Sequence, residues 1–354
     1  MIRVLVVEDS PTVRRRLVDV LAADPEIEVV GEADDGRRAI ERCQALRPDV
    51  ITMDMMLPVM TGLGATEYIM AHFPTPILIV SSSTNRGELF RTYEALAAGA
   101  VDVLEKPGLD EPEGEWEKRF LSTLKLVARI RVITHLRART AQRVRDSALA
   151  PVARSASERP RAVIGIGAST GGPGALVEVL RVFPRGFPLP ILLVLHIGEP
   201  FGRSFAEWLA GQIGRPVSYA EDGEHVASAG GRVLMAPPDR HLTVNAGRVG
   251  LTRDPERHSC RPSVDVLFES IAHEFGDAAG ACLLTGMGRD GAAGLLRIRL
   301  AGGLTIAQDE ATSVVFGMPR EAALLGAATH VLPLGEIGAA LAALAPRTNG
   351  SRST

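Results

Sequence analysis

Ser169 stands in Gly167-Ala168-Ser169-Thr170-Gly171, a G-x-S-x-G spacing in which a tight strand-to-helix turn exposes a serine hydroxyl. A serine is a poor nucleophile until a neighbour takes its proton, so the spacing matters only if a base and an orienting acid join it. His196 follows the apolar run Ile191-Leu192-Leu193-Val194-Leu195, and Asp290 lies in Thr285-Gly286-Met287-Gly288-Arg289-Asp290-Gly291. If adjacent strands bring the three to one rim, His196 would act as base toward Ser169 and then as acid toward the leaving group. Asp290 would fix the imidazole tautomer and stabilise its cation. Backbone amides of Met287 and Thr170 would receive the developing oxyanion. Each residue also has a plainer use: a glycine turn for helix packing, a packed surface histidine, and a helix N-cap aspartate. Dinucleotide binding is the weaker reading of the same glycines. The sixth position of G-x-G-x-x-G is Thr170, and the next strand ends in His196 where an acid for a ribose is expected.

A second set of chemically matched residues precedes it. Glu8-Asp9, Asp54, Ser81 and Lys106 each follow an apolar run. Carboxylates crowded together repel, and a hard cation such as Mg²⁺ relieves that repulsion through oxygen ligands. A cation beside Asp54 would also neutralise an incoming phosphoryl group, whose oxygens Ser81 and Lys106 would hold.

These residues need parallel sheets to position them, because ligands of α/β sheets sit outside the carboxyl ends of the strands. Apolar runs at Ile2–Val7, Glu28–Gly31, Val50–Met53, Ile77–Val80 and Ala100–Leu104 alternate with amphipathic stretches. A second alternation has strands expected at Ala162–Gly167, Leu189–His196, Arg232–Ala236, Ala281–Thr285 and Leu304–Ala307, with a hairpin over Val244–Thr252. The expected fold class is therefore α/β, with two doubly wound parallel-sheet domains, the second Rossmann-like with an antiparallel hairpin insertion. The domains are placed at 1–120 and 161–345, with a helical and flexible connector at 121–160 and a disordered tail at 346–354. Residues 118–161 hold twelve Lys or Arg and two acidic residues, which is read as a solvated helix face plus linker rather than a nucleic-acid surface.

The chain has 354 residues, 46% hydrophobic and 23% charged, with net charge −3, which is globular usage with no global pull toward nucleic acid or membrane. No run approaches the ~20 apolar residues of a membrane span. Cys43, Cys260 and Cys282 are too scattered for a disulfide framework. Cys260 and Cys282 lack clustered partners for a metal, and no reactive thiol is expected. A reducing cytoplasm is the simple expectation.

Residues 1–120 resemble a response-regulator receiver domain through Val4-Leu5-Val6-Val7-Glu8-Asp9-Ser10, Met53-Asp54-Met55, Leu57-Pro58, Ile79-Val80-Ser81 and Glu105-Lys106-Pro107. The resemblance implies that Asp54 is the phospho-acceptor. It makes Glu8 and Asp9 carboxylates on the side of a Mg²⁺ whose protein ligands the carbonyl of Met56 completes. Glu8 departs from the family's usual second Asp.

From Arg161 onward the chain resembles the catalytic domain of chemotaxis protein-glutamate methylesterases. The matching stretches are Gly167 to Gly172, Ala236-Pro237-Pro238-Asp239-Arg240-His241, Arg261 to Phe268, Gly286 to Gly291 and Ala307 to Pro319. The resemblance implies a cytoplasmic, phosphorylation-activated esterase and glutamine deamidase with triad Ser169, His196 and Asp290. It implies no cofactor for the esterase step. The implied partners are chemoreceptor cytoplasmic helices and a chemotaxis histidine kinase. The context Leu195-His196-Ile197-Gly198 departs from the family's Gln before the histidine and Met-Pro after it. Competing readings are a paralogue in a non-chemotactic pathway, a non-catalytic signalling module and a regulator with DNA output. An intact triad speaks against the module, and the lack of a helix-turn-helix pattern speaks against DNA output. His241 and His258 are expected to be structural or substrate-contacting rather than catalytic, Asp265 a helix cap or local hydrogen bonder, and Gln308-Asp309-Glu310 to shape a loop.

Overall fold

The computed structural model describes residues 1–82, 85–107, 114–130, 132, 162–198, 201–202 and 204–345. Most of the expected 121–160 connector, Ser83 and the 346–354 tail lie outside these residues. The chain divides into two compact units, Met1–Ala148 and Leu149–Thr354.

The first unit alternates β1 (Ile2–Val7), α1 (Pro11–Ala22), β2 (Ile27–Ala33), α2 (Gly36–Leu46), β3 (Val50–Met53), α3 (Gly62–His72), β4 (Ile77–Ser81), α4 (Arg86–Ala97), β5 (Asp102–Glu105) and α5 (Glu115–Val127). All five strands are parallel, in the order β2-β1-β3-β4-β5. Helices α1 to α4 start where side chains can cap them. Ser10, Asp35, Thr61 and Asn85 each accept from a backbone amide of the first turn. One core lies on each face of the sheet. Leu5, Val7, Ile51, Met53 and Ile79 pack one side, and Val4, Val6, Leu78 and Val80 the other. Trp116, Phe120, Leu124 and Val127 of α5 complete the second core. A boundary at residue 120 would cut α5, so the helix belongs to the first unit through Val127.

The second unit runs β6 (Val163–Ala168), α6 (Gly172–Arg181), β7 (Ile191–Leu195), α7 (Phe205–Ile213), β8 (Val217–Tyr219), β9 (Val233–Met235), β10 (His241–Asn245), β11 (Arg248–Thr252), α8 (Val264–Phe275), β12 (Ala279–Leu283), α9 (Ala292–Leu300), β13 (Leu304–Gln308), α10 (Met318–Leu324), β14 (His330–Leu332) and α11 (Leu334–Ala342). Seven parallel strands form one sheet in the order β14-β13-β12-β6-β7-β9-β8. β10 and β11 pair antiparallel, as the hairpin reading expected. The strand expected at Ala281–Thr285 begins and ends two residues earlier, which frees Thr285 for the site. Three elements escape the sequence reading: β8, β14 and α11. The two strands are three-residue edge pieces too short for a periodicity, and Ala-rich α11 gives a weak polar–apolar contrast. Among the described residues no helix is long and apolar enough to cross a membrane.

Candidate active site and phosphoryl pocket

The strand order reverses on either side of β6, and the second site forms there. Ala168 pairs with Leu195, so Ser169 and His196 sit level at the ends of β6 and β7. The His196 amide donates to the Ala168 carbonyl at 3.0 Å, and the Ser169 amide donates to the Thr285 carbonyl at 3.0 Å. These bonds carry both ladders one residue beyond the strands. Glycine at 286 is required by this approach, because a Cβ there would lie 2.8 Å from the Ser169 Cβ and 2.3 Å from the Met318 sulfur.

Asp290 reaches the rim from the β12–α9 connection. His196 Nε2 donates to its Oδ2 at 2.9 Å. The same carboxylate accepts from Ser263 Oγ at 2.7 Å, the Val264 amide at 2.7 Å and the Asp265 amide at 3.2 Å. Asp290 therefore sits on the N-terminus of α8, where amides and the helix dipole favour an anion. It is not simply the cap of its own helix. Burial would lift its carboxyl, but the hydrogen bonds from His196, Ser263 and Val264 outweigh that and hold it below the usual carboxylate range. Burial in turn pulls the His196 imidazole down, yet Asp290 and the nearby Cys260 sulfur push it up to about 9.

With Nε2 committed to Asp290, Nδ1 is the imidazole nitrogen that carboxylate leaves unengaged. Ser169 Oγ makes no hydrogen bond among the described residues, and Cys260 Sγ lies 3.8 Å from His196 Nδ1. The expectation that Cys260 lacks clustered partners is thus corrected. Its neighbour is 64 residues away in the chain, a distance no spacing rule spans. The Met287 and Thr170 amides also donate to no acceptor among the described residues, and the Met287 side chain is exposed.

The turn carrying Ser169 rests on a network that the residues alone did not reveal. Thr285 Oγ1 donates to the Thr170 carbonyl at 3.0 Å and accepts from the Val315 amide at 2.9 Å. The Thr285 amide donates to the buried Gln308 Oε1 at 2.8 Å, and Gln308 Nε2 donates to the Thr312 carbonyl at 2.8 Å. Gln308 and Asp309 shape this loop, as expected. His241 is buried and structural: its Nδ1 accepts from the Ser263 amide, and its Nε2 donates to the Pro255 carbonyl. Asp265 Oδ1 accepts from the Gly294 amide at 2.6 Å, so it caps α9 while Asp290 serves α8.

The first unit also builds its site at a strand-order reversal, between β1 and β3. Asp54 donates its amide to the Val7 carbonyl, and Glu8 donates its amide to the Ala33 carbonyl, which places both carboxylates at one edge. One oxygen from each of Glu8, Asp9 and Asp54 lies within 4.8 Å of the others, with Asp9 exposed and the other two buried. Lys106 Nζ stands 2.9 Å from Glu8 Oε2 and 3.2 Å from Asp54 Oδ1. Burial lifts Glu8 to about 7 against the pull of Lys106, and burial likewise raises Asp54. Ser81 is engaged elsewhere: its hydroxyl donates to the buried Glu88 Oε1 at 2.7 Å, which also accepts from Ser82 at 2.8 Å. The Met56 side chain is exposed and its sulfur accepts from Arg91 Nη1.

A carboxylate cluster beside Lys106 in one unit and a Ser-His-Asp rim in the other are the arrangement expected of a response regulator whose effector domain is an enzyme. The comparisons with known proteins agree. The description "CheB methylesterase" matches residues 164–341, and "Response regulator receiver domain" matches residues 4–113. A protein-glutamate methylesterase/protein-glutamine glutaminase of Nitrosospira multiformis is 44% identical, with 96% of each chain covered. Another, from Anaeromyxobacter dehalogenans, is 46% identical over 96% of each. The crystal structure of the Thermotoga maritima CheB methylesterase catalytic domain covers 52% of this chain and 100% of its own, at 37% identity and a TM-score of 0.50. This chain belongs to the CheB family of protein-glutamate methylesterases/protein-glutamine glutaminases with a receiver domain.

Proposed function

We propose that the second domain hydrolyses γ-glutamyl methyl esters on chemoreceptor cytoplasmic helices, releasing methanol, and deamidates receptor glutamines by the same route. The observation that carries this reading is the buried, four-donor Asp290 holding His196 level with Ser169 at the central strand ends. Ser169 Oγ attacks the ester carbonyl as His196 Nδ1 takes its proton. The tetrahedral oxyanion is received by the Met287 and Thr170 amides, and one such donor is typically worth about 3 kcal/mol of barrier. The imidazolium returns the proton to the departing methoxide. A water activated by the same nitrogen then releases glutamate and regenerates Ser169. With glutamine, ammonia leaves in place of methanol.

Asp54 is the phospho-acceptor in this reading, with a chemotaxis histidine kinase as donor. Glu8, Asp9, Asp54 and the Met56 carbonyl would hold Mg²⁺, which supplies charge neutralisation for phosphoryl transfer. The donor set is all oxygen, as Mg²⁺ prefers. Lys106 would hold the phosphoryl oxygens. Ser81 would join it only after leaving Glu88.

Methanol release from methyl-labelled receptor membranes tests both halves. Ser169→Ala is expected to lower turnover by about 10⁴-fold or more while Asp54 still accepts phosphate from a small donor. Retained turnover would place the nucleophile elsewhere. Phosphodonor with Mg²⁺ is expected to raise the wild-type rate and leave Asp54→Ala unchanged. Equal responses of the two proteins would refute phosphorylation control.

A further inference from the structure

Cys260 is not part of the hydrolytic chemistry described above, yet its sulfur faces the one imidazole nitrogen that chemistry needs. The turn that places it is unusual. His258 and Ser259 have φ of +53° and +59°, and Arg257 and Cys260 bond to each other across them, amide to carbonyl in both directions at 3.2 and 2.9 Å. This is a two-residue turn with both central residues left-handed, a geometry that favours Asn-Gly. Here both positions bear ordinary side chains, which strains the backbone. The strain is held by its surroundings. Arg257 makes a two-bond pair with Glu269, His258 Nε2 donates to Asp265, and Arg289 Nε donates to His258 Nδ1. Cys260 is therefore fixed at the rim and partly exposed.

The separation fits a soft or borderline metal. A tetrahedral Zn²⁺ with Zn–S of about 2.3 Å and Zn–N of about 2.0 Å holds sulfur and nitrogen about 3.5 Å apart, against the observed 3.8 Å. The other ring nitrogen of a zinc-bound histidine ordinarily donates to a carboxylate, as His196 Nε2 does to Asp290. Asp290 is placed within reach of the same cluster. Its two oxygens already accept four hydrogen bonds, so it supports the histidine rather than ligating.

We propose that Cys260 Sγ and His196 Nδ1 form an inhibitory Zn²⁺ site at the mouth of the active site. Zn²⁺ displaces the Cys260 thiol proton to solvent and takes the His196 lone pair, leaving its remaining positions to water. The metal site stands on this geometry alone. Its inhibitory effect rests on the proposed role of His196 as base.

The test uses the full-length chain after chelator treatment. Co²⁺ as a probe is expected to give a near-ultraviolet thiolate-to-cobalt absorption band in wild type that Cys260→Ala loses. Cys43 and Cys282 are fully buried and do not supply it. Zn²⁺ is expected to slow wild-type methanol release, with chelator restoring it. Cys260→Ala, compared with its own zinc-free rate, should need about tenfold more Zn²⁺ or beyond for the same fractional loss. Asp9→Asn should keep wild-type zinc sensitivity, which separates this site from the receiver carboxylates. A band that persists in Cys260→Ala, or no band in wild type, overturns the site. A band that depends on Cys260 without zinc inhibition overturns the inhibitory role and would count against His196 as base.

Discussion

Glu8 and Asp290 are both buried carboxylates at the carboxyl edge of a parallel strand, and their environments drive them in opposite directions. Asp290 accepts four hydrogen bonds, three of them from the start of α8 and the residue preceding it, and is held low. Glu8 shares one lysine with Asp54 and takes one backbone amide, from Ser10, and burial lifts it to about 7. The Asp290 carboxylate is thus satisfied by protein donors and holds His196 in place. The receiver edge is short of positive charge, as the proposed cation and phosphoryl group would require. Preorganisation suits the ester chemistry proposed for the one site, and unfinished electrostatics the switch proposed for the other.

The largest expected effect breaks the satisfied side. Asp290→Asn keeps the shape but removes the anion, and kcat is expected to fall by about 10⁴-fold. Residual activity should also move on the pH axis. His196 is raised to about 9 in part by Asp290, and a base must be neutral. Wild-type kcat/KM should therefore climb with pH toward a limb near 9, and the limb should lie lower in the variant. A limb that does not move would remove Asp290 from the imidazole's electrostatics.

The next prediction breaks the switch side. Lys106→Met leaves two buried carboxylates without their cation, and removing one partner of a buried pair costs about 3 kcal/mol. Without the lysine the folded-state pKa values of Glu8 and Asp54 rise further above their unfolded values. The folded state then binds more protons than the unfolded chain, so the loss should grow as pH rises through neutrality and shrink in acid. Denaturant unfolding at pH 5 and pH 8 checks the sign. A loss equal at both values would mean that Lys106 packs rather than pairs.

A smaller effect sharpens the comparison. Gly286→Ala presses on Ser169 without touching its chemistry. Misplacement on the scale of 1 Å costs about 100-fold in rate, so turnover should fall by that order while Asp54 phosphorylation is unchanged. An unaffected rate would show that the rim tolerates displacement.

Much of this was legible in the residues. Near-continuous apolar strands such as Val50–Met53 can only be buried on both faces, and that forces helices onto both sides of a parallel sheet. The edge pieces Val217–Tyr219 and His330–Leu332 carry no such signal, because three residues cannot show a period. Ser169, His196 and Asp290 were readable because a glycine turn, a strand end and a second glycine loop each carry a local pattern. Gln308 and Thr285 as supports of the Ser169 turn were not, because a buried amide has no spacing that announces its partner.

The sequence by itself determined the two parallel sheets and the residue types at their carboxyl edges, since burial periodicity and turn chemistry are local properties of the chain. Only the tertiary structure decided which imidazole nitrogen Asp290 takes, that Ser81 is held by Glu88, and that Cys260 faces His196. Those are matters of direction over a few ångströms between segments far apart in the chain, set by packing and by competition among hydrogen-bond partners.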